Sequence, residues 1–245
     1  MKIKSIIPAT KFLVSVIRLI KNPNNIAPIF KIKEFRDHQS FKLALANAKA
    51  DPDLKELFET RYLMDSPPAV DQLIKLPANT LGHTFAKHMK HFKMDVVFYP
   101  DMEEEKYDDI TYLRYRARET HDIHHVVLGM NPDHLGEMSI SAFYLAQLNI
   151  PLSAALLGVG FFASVIKKPY MLSSLVESMI RGWTMGKAAK NFHAVKWEEL
   201  WEKDMTELRE ELGVKVEVET YDQEHQREIE KREKSFALKQ IENHL

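Results

Sequence analysis

The chemistry-bearing residues of this chain crowd into one stretch, YLRYRARETHDIHHVVLGMNPDHLGE, from Tyr112 to Glu137. His121 and His125 are four residues apart, so on a helix their imidazoles stand one turn apart on one face, with Asp122 at its margin. Glu137 follows early in the next helix. A turn over 129–135 that folds this helix back would bring a second carboxylate to the same point, giving two imidazoles and up to two carboxylates. That donor set suits a divalent ion and leaves coordination positions open for water or substrate, so the site is catalytic in type. Zinc stands first among the candidates, with cobalt, manganese, iron and magnesium as alternatives. Arg114 and Arg118 project from the same face one and two turns earlier, where they can hold a carboxylate or phosphate, although arginines on a helix as often lie in solvent. His124 points toward the apolar stripe of Ile110, Leu113, Ala117 and Leu128 and reads as a bystander.

Two helices must carry these residues. The pattern predicts one over Ile110–Leu128, stopped by Gly129 and Asn131-Pro132, and a second over Leu135–Asn149, stopped by Pro151, paired as a hairpin. Leu152–Ile166 is almost wholly apolar but shorter than the roughly 20 residues of a membrane crossing, which predicts a buried helix. Helices near Tyr170–Lys190 and over Trp197–Leu212 complete this half, the last ended by Gly213. Upstream, Phe41–Phe58 reads as two short helices divided at Asp51-Pro52, and Asn79 reads as the cap of a helix through His83, Phe85 and Met89 toward Phe92. Met94–Tyr99 reads as extended and 101–109 as an acidic loop. Residues 1–22 form an amphipathic helix with no signal-peptide pattern, packed on the core or lying on a membrane surface. After Val218 the charges become dense, so 219–245 reads as a charged tail beyond a single helical domain over 23–218. The expected fold class is all-α: a single-domain helical bundle of mostly short helices with a buried apolar helix.

Composition narrows the function. With no Cys, thiolate metal sites, disulfides and Cys nucleophiles are excluded. Lys and Arg number 34 against 35 Asp and Glu, a balance that gives no electrostatic footprint for nucleic acid. Hydrophobic residues at 45% and only 8 Gly favour a packed helical chain over a turn-rich sandwich.

HDIHH followed by eleven residues and Glu resembles the HDxxH-x11-E motif of the Coq4 family of ubiquinone-biosynthesis proteins. LPANTLG (76–82), ARETHD, LGMNPDHLGE and KWEELWEKDMTELREELGV resemble further segments of that family in consistent order, from about Asn25 to Val214. Ala117 departs from the family's usual Tyr, and the tail after Val218 has no counterpart in the pattern. The resemblance implies an all-helical fold, a metal at His121, Asp122, His125 and Glu137, membrane association and a polyprenylated aromatic ligand. It further implies removal of a ring C1 carboxylate with oxidation at that carbon, and a part in a quinone-biosynthesis complex. The apolar helix with Met171, Leu172, Leu175 and Met179 would line a slot for the lipid tail or form plain core.

Three functions compete. The first is a metal-dependent decarboxylase of a polyprenyl hydroxybenzoate, with Arg114 or Arg118 orienting the carboxylate. The second is a non-catalytic prenyl-lipid-binding scaffold that organises the biosynthetic complex. The third, a phosphohydrolase of the HD type, would need a further ligand set that His83, His88 and His91 do not convincingly supply. A homo-oligomer is expected, peripheral at the inner membrane face of a bacterium or on the matrix side of the mitochondrial inner membrane of a eukaryote.

Overall fold

The computed structural model of the protein describes residues 39–96 and 108–216, together with helical residues at 231, 233–236 and 238–242. The amphipathic segment 1–22, most of the acidic loop and the start of the charged tail lie outside the described residues. All regular structure described is helical; a single bridge between Thr80 and Asp204 is the one extended pairing among the described residues.

Local chemistry sets the helix ends. Helix α1 (Gln39–Ala50) gives way to α2 (Pro52–Thr60) where the Asp51 carboxylate accepts from the amides of Asp53 and Leu54, with proline in the first helical position. After the short α3 (Val70–Leu73), helix α4 (Leu81–Phe92) begins, and its cap is Thr80, whose hydroxyl accepts from the His83 amide. Asn79, the residue expected to cap it, instead donates its side-chain amide to Asp204, the cap of α10 (Met205–Leu212). The starts of two helices distant in sequence are thereby tied together.

The expected single helix over Ile110–Leu128 is two: α5 (Asp109–Glu119) and α6 (His121–Leu128). They are divided at Thr120 (φ −96°, ψ −4°), whose hydroxyl donates to the Arg116 carbonyl. Such back-bonding by a threonine bends helices. Gly129 then adopts φ +62° and reverses the chain, a conformation that favours glycine. Asp133 accepts from the Gly136 amide to open α7 (His134–Leu148), which ends at left-handed Asn149. The hairpin expected from the sequence is therefore present.

Helices α8 (Pro151–Lys167) and α9 (Leu172–Ala188) follow, joined by a 3₁₀ turn over Pro169–Met171. The region Trp197–Leu212 is a 3₁₀ turn over Trp197–Glu199, a further turn and then α10, because Asp204 starts a new helix.

The main core gathers Phe85 and Met89 of α4, Ile123, Val126 and Val127 of α6, Phe143 of α7, and Phe192, Trp197 and Leu208. A second cluster joins α1, α2 and α5 through Ala48, Leu54, Leu57, Phe58 and Tyr112. Each fully buried side chain of this size contributes roughly 1.5–3 kcal/mol. Helix α9 lies directly on α7: a Cβ on Gly182 would stand 1.9 Å from the Ser139 carbonyl oxygen, and one on Gly186 would stand 2.6 Å from that of Phe143. Only glycine permits this approach, which fixes α7 from behind.

Helix α8 is covered on one side only. Leu157, Val159 and Ala163 are buried, whereas Phe162 and Ile166 are exposed, as are Ile180 and Trp183 of α9. The buried helix expected here is thus buried along one side and exposed along the other. Met171 and Leu175, candidates for a lipid slot, are buried, and Leu175 packs with Met138, Ala142, Leu157 and Met179. No helix among the described residues is long and apolar enough to cross a membrane.

Candidate metal centre

Helix α6 presents His121 and His125 from successive turns, their rings 4.7 Å apart and nearly perpendicular. The two Nε2 atoms are 3.1 Å apart and both face the start of α7. There Glu137 completes the group: its carboxylate oxygens are 3.2 Å from His125 Nε2 and 3.6 Å from His121 Nε2. Four-coordinate zinc with bonds of about 2.0–2.1 Å separates neighbouring donors by roughly 3.3–3.4 Å. The 3.1 Å between the two Nε2 atoms is close to one edge of such a polyhedron, and each Glu137 oxygen approaches one imidazole, at 3.2 and 3.6 Å, so the three side chains can converge on a small divalent cation. Two imidazoles and one carboxylate are also a donor set of catalytic zinc, which keeps an open position. Burial is graded across the group: His125 is fully buried, His121 partly, and the Glu137 side chain is 49% exposed, so the open side faces solvent past the glutamate.

The electrostatics follow from this crowding. Desolvation pushes the Glu137 carboxyl up, but hydrogen bonds and charge from His121 and His125 outweigh it and hold the group well below the usual carboxylate range. For His121, burial opposes protonation, yet Glu137 and Asp122 outweigh burial and raise its pKa. Asp122 is raised, first by desolvation and then by the charge of Glu137, against the pull of the two imidazoles. A divalent cation would replace the protons that otherwise relieve this cluster.

The hairpin that assembles the site is fixed by contacts invisible in the local sequence. Arg209 of α10 donates to the carbonyls of Val126 and Val127, and Arg181 of α9 donates to that of Gly129. These guanidinium groups satisfy the carbonyls that end α6. His125 is oriented by its own backbone, with Nδ1 3.1 Å from the Met130 carbonyl oxygen, which assigns the proton to Nδ1 and leaves Nε2 as a ligand.

Of the sequence candidates, His121, His125 and Glu137 form the group able to hold a metal, all ligand atoms lying within 4.8 Å of one another. Asp122 stands at its margin, coupled by charge to all three. Arg114 and Arg118 are both exposed, across the bend at Thr120 from the histidines. The charge of Arg118 is felt at His121. Among the described residues no second cluster of His and carboxylates converges, so His83, His88 and His91 supply no further ligand set. Sequence reasoning passed over Arg116, which is fully buried and paired with Glu119 and bidentately with Glu198. It also passed over Tyr144, whose hydroxyl lies against His121 and His124.

Residues 2–217 match the family described as coenzyme Q (ubiquinone) biosynthesis protein Coq4. The chain belongs to the Coq4 family. Among Coq4 relatives, the mitochondrial ubiquinone biosynthesis protein homologue of Aedes aegypti is 31% identical over 173 residues, which cover 64% of this chain and 60% of the relative. The mitochondrial counterpart of Aspergillus niger is 34% identical over 167 residues, covering 63% of this chain and 54% of the relative. This chain therefore spans somewhat over half the length of these Coq4 proteins. A crystal structure from Nostoc punctiforme, of a protein named for ubiquinone biosynthesis, superposes with a TM-score of 0.73 at 34% identity, covering 85% of this chain and 99% of that one. The membership places this chain in a family of ubiquinone biosynthesis, and the all-α fold agrees with the class read from the sequence.

Proposed function

We propose that this Coq4-family protein is a metal-dependent decarboxylase of ubiquinone synthesis, acting on a polyprenyl hydroxybenzoate at His121, His125 and Glu137 with Asp122 beside them. The observation that carries the reading is the convergence of His121, His125 and Glu137 within 4.8 Å on the solvent-facing side of the α6–α7 hairpin. In the overall change the bond from ring C1 to its carboxylate breaks and carbon dioxide leaves. A C–O bond forms at C1 with oxygen from water, and the two electrons and two protons released pass to dioxygen, which leaves as hydrogen peroxide. When bound, a divalent ion, zinc first among the candidates, supplies Lewis acidity and an open coordination position for a carboxylate or water.

The chain's own residues do the rest. His121, His125 and Glu137 hold the ion, and buried His125 anchors it to the core. Asp122, whose carboxyl burial pushes up from its ordinary value, is the nearby group to take up or release a proton. Arg118, close enough for its charge to act at His121, orients the incoming carboxylate, with Arg114 a turn farther out. The assay is mass spectrometry of a polyprenyl hydroxybenzoate incubated aerobically with purified protein and metal. Loss of the carboxylate with gain of a hydroxyl is expected, and is abolished by His125→Ala. Product formation unchanged in that variant overturns the reading.

A second reading, a prenyl-lipid-binding scaffold that nucleates a quinone-biosynthesis complex at a membrane, is favoured by the exposed large apolar side chains of α8 and α9, Phe162, Ile166, Ile180 and Trp183. Where such side chains gather on one surface they mark a protein or membrane contact. Lys167 and Lys168, next to Ile166 at the end of α8, suit an anionic membrane surface at the inner face of a bacterium or the matrix side of a mitochondrion. The scaffold reading predicts lipid binding with no product in a single turnover under any metal.

A further inference from the structure

Resting on the reading of His121 as a metal ligand, we infer that Tyr144, held in turn by His124, is the positioning residue that fixes His121 in its ligand tautomer. The Tyr144 hydroxyl on α7 lies 3.2 Å from His121 Nδ1 and 2.7 Å from His124 Nδ1. These three residues form a chain running away from the ion site into the core.

The direction of the hydrogen bonds follows from counting protons. A neutral imidazole that offers Nε2 to a cation carries its proton on Nδ1, so His121 donates from Nδ1 to the Tyr144 oxygen. The phenol hydroxyl carries one proton of its own, and with its oxygen taken up by His121 it donates that proton onward. The receiver is His124 Nδ1, which fixes His124 with its proton on Nε2. Its ring is fully buried among Phe192, His193 and Trp197, at centroid distances of 5.2, 5.7 and 5.3 Å, and it makes its hydrogen bond to Tyr144 alone among protein groups. Aromatic walls on these sides leave the His124 ring little room to turn.

His121 thus receives from side chains what His125 receives from the Met130 carbonyl: a fixed acceptor behind Nδ1. The difference matters, because a backbone carbonyl cannot be lost by mutation whereas a phenol can. Loss of a group that orients a metal-bound histidine typically weakens metal affinity 10- to 100-fold.

Zinc affinity, measured by competition with a chromophoric chelator, tests the inference on the full chain. Tyr144→Phe is expected to bind zinc 10- to 100-fold more weakly than wild type. His124→Leu is expected to weaken binding severalfold. His124→Asn, whose amide oxygen can replace Nδ1 as the acceptor, restores much of it, which a merely structural role for His124 would not produce. Wild-type affinity in Tyr144→Phe, with His125→Ala still abolishing binding, overturns the positioning role and leaves the metal site standing. If wild type itself binds no divalent ion, the metal reading falls, and nitrogen-15 NMR of the histidine rings in metal-free protein at alkaline pH still decides the hydrogen-bond chain. His121 is expected as the Nδ1–H tautomer in wild type and as a mixture in Tyr144→Phe; an unchanged tautomer in the variant overturns the inference.

Discussion

Replacing Gly136 by Ala perturbs the hairpin at the residue before Glu137. A Cβ there would stand 1.8 Å from the Asn131 carbonyl oxygen and 2.9 Å from the carbonyl carbon, both backbone atoms of the turn that Gly129 opens. Ordinary contact needs about 3.4 Å, so the first turn of α7 and the 129–133 turn must part by well over 1 Å. The alanine gains roughly 0.5–1 kcal/mol of helix propensity, less here in the first turn, while such overpacking costs about 1–3 kcal/mol or more. A net loss of about 0.5–2.5 kcal/mol lowers the melting temperature of a chain this size by roughly 1–10 °C. The functional effect is larger than the stability effect, because Glu137 moves with the helix; a displacement of about 1 Å at such a site can cost on the order of 100-fold. Gly158→Ala is the control: nothing lies within 4 Å of its Cβ in α8, so this variant is expected to be slightly stabilised and to keep its zinc affinity. Thermal melts and zinc titrations of the two variants check the reasoning. Wild-type stability together with wild-type zinc affinity in Gly136→Ala would refute it.

His88 and His193 are lowered to about 3, chiefly by burial, so below the ordinary imidazole value of 6.5 the unfolded chain takes up protons that the folded chain refuses. Their contribution is intact above that value and is lost as pH falls toward about 3. At a pH of about 5 each should cost roughly 2 kcal/mol of stability, read from urea unfolding; a flat profile would show that these rings are not held neutral. Arg116→Met strips the partner from Glu119 and Glu198 and is expected to cost about 3–5 kcal/mol in denaturant unfolding, a loss that a well-packed neutral core would not show. If the exposed face of α8 and α9 meets a membrane, Phe162→Asp with Ile166→Asp reduces binding to anionic vesicles in flotation without lowering the melting temperature; unchanged flotation assigns that face elsewhere.

The heart of the site was legible because helix periodicity is short-ranged: His121 and His125 four apart, and a Gly–Asn–Pro turn returning Glu137, need no knowledge of the rest of the fold. Asp51 before Pro52, Gly129 and Gly213 marked helix ends for the same reason. What stayed hidden depends on distant partners. The bend at Thr120 comes from a side-chain bond that competes with an otherwise continuous helical pattern. Tyr144 meets His121 and His124 across the hairpin, so no spacing announces it, and His124, expected only to face the core, does so as part of a hydrogen-bonded chain. Arg116 has no spacing that singles it out, because the partner that encloses it, Glu198, lies 82 residues later. An evenly apolar helix such as α8 does not reveal which side its neighbours cover.

The most direct test of the metal centre is an anomalous difference map at the zinc edge from crystals grown with zinc. One peak is predicted at about 2.0–2.2 Å from His121 Nε2, His125 Nε2 and a Glu137 oxygen. A map with no peak there, or with the ion bound elsewhere while these three side chains stay together, would contradict it.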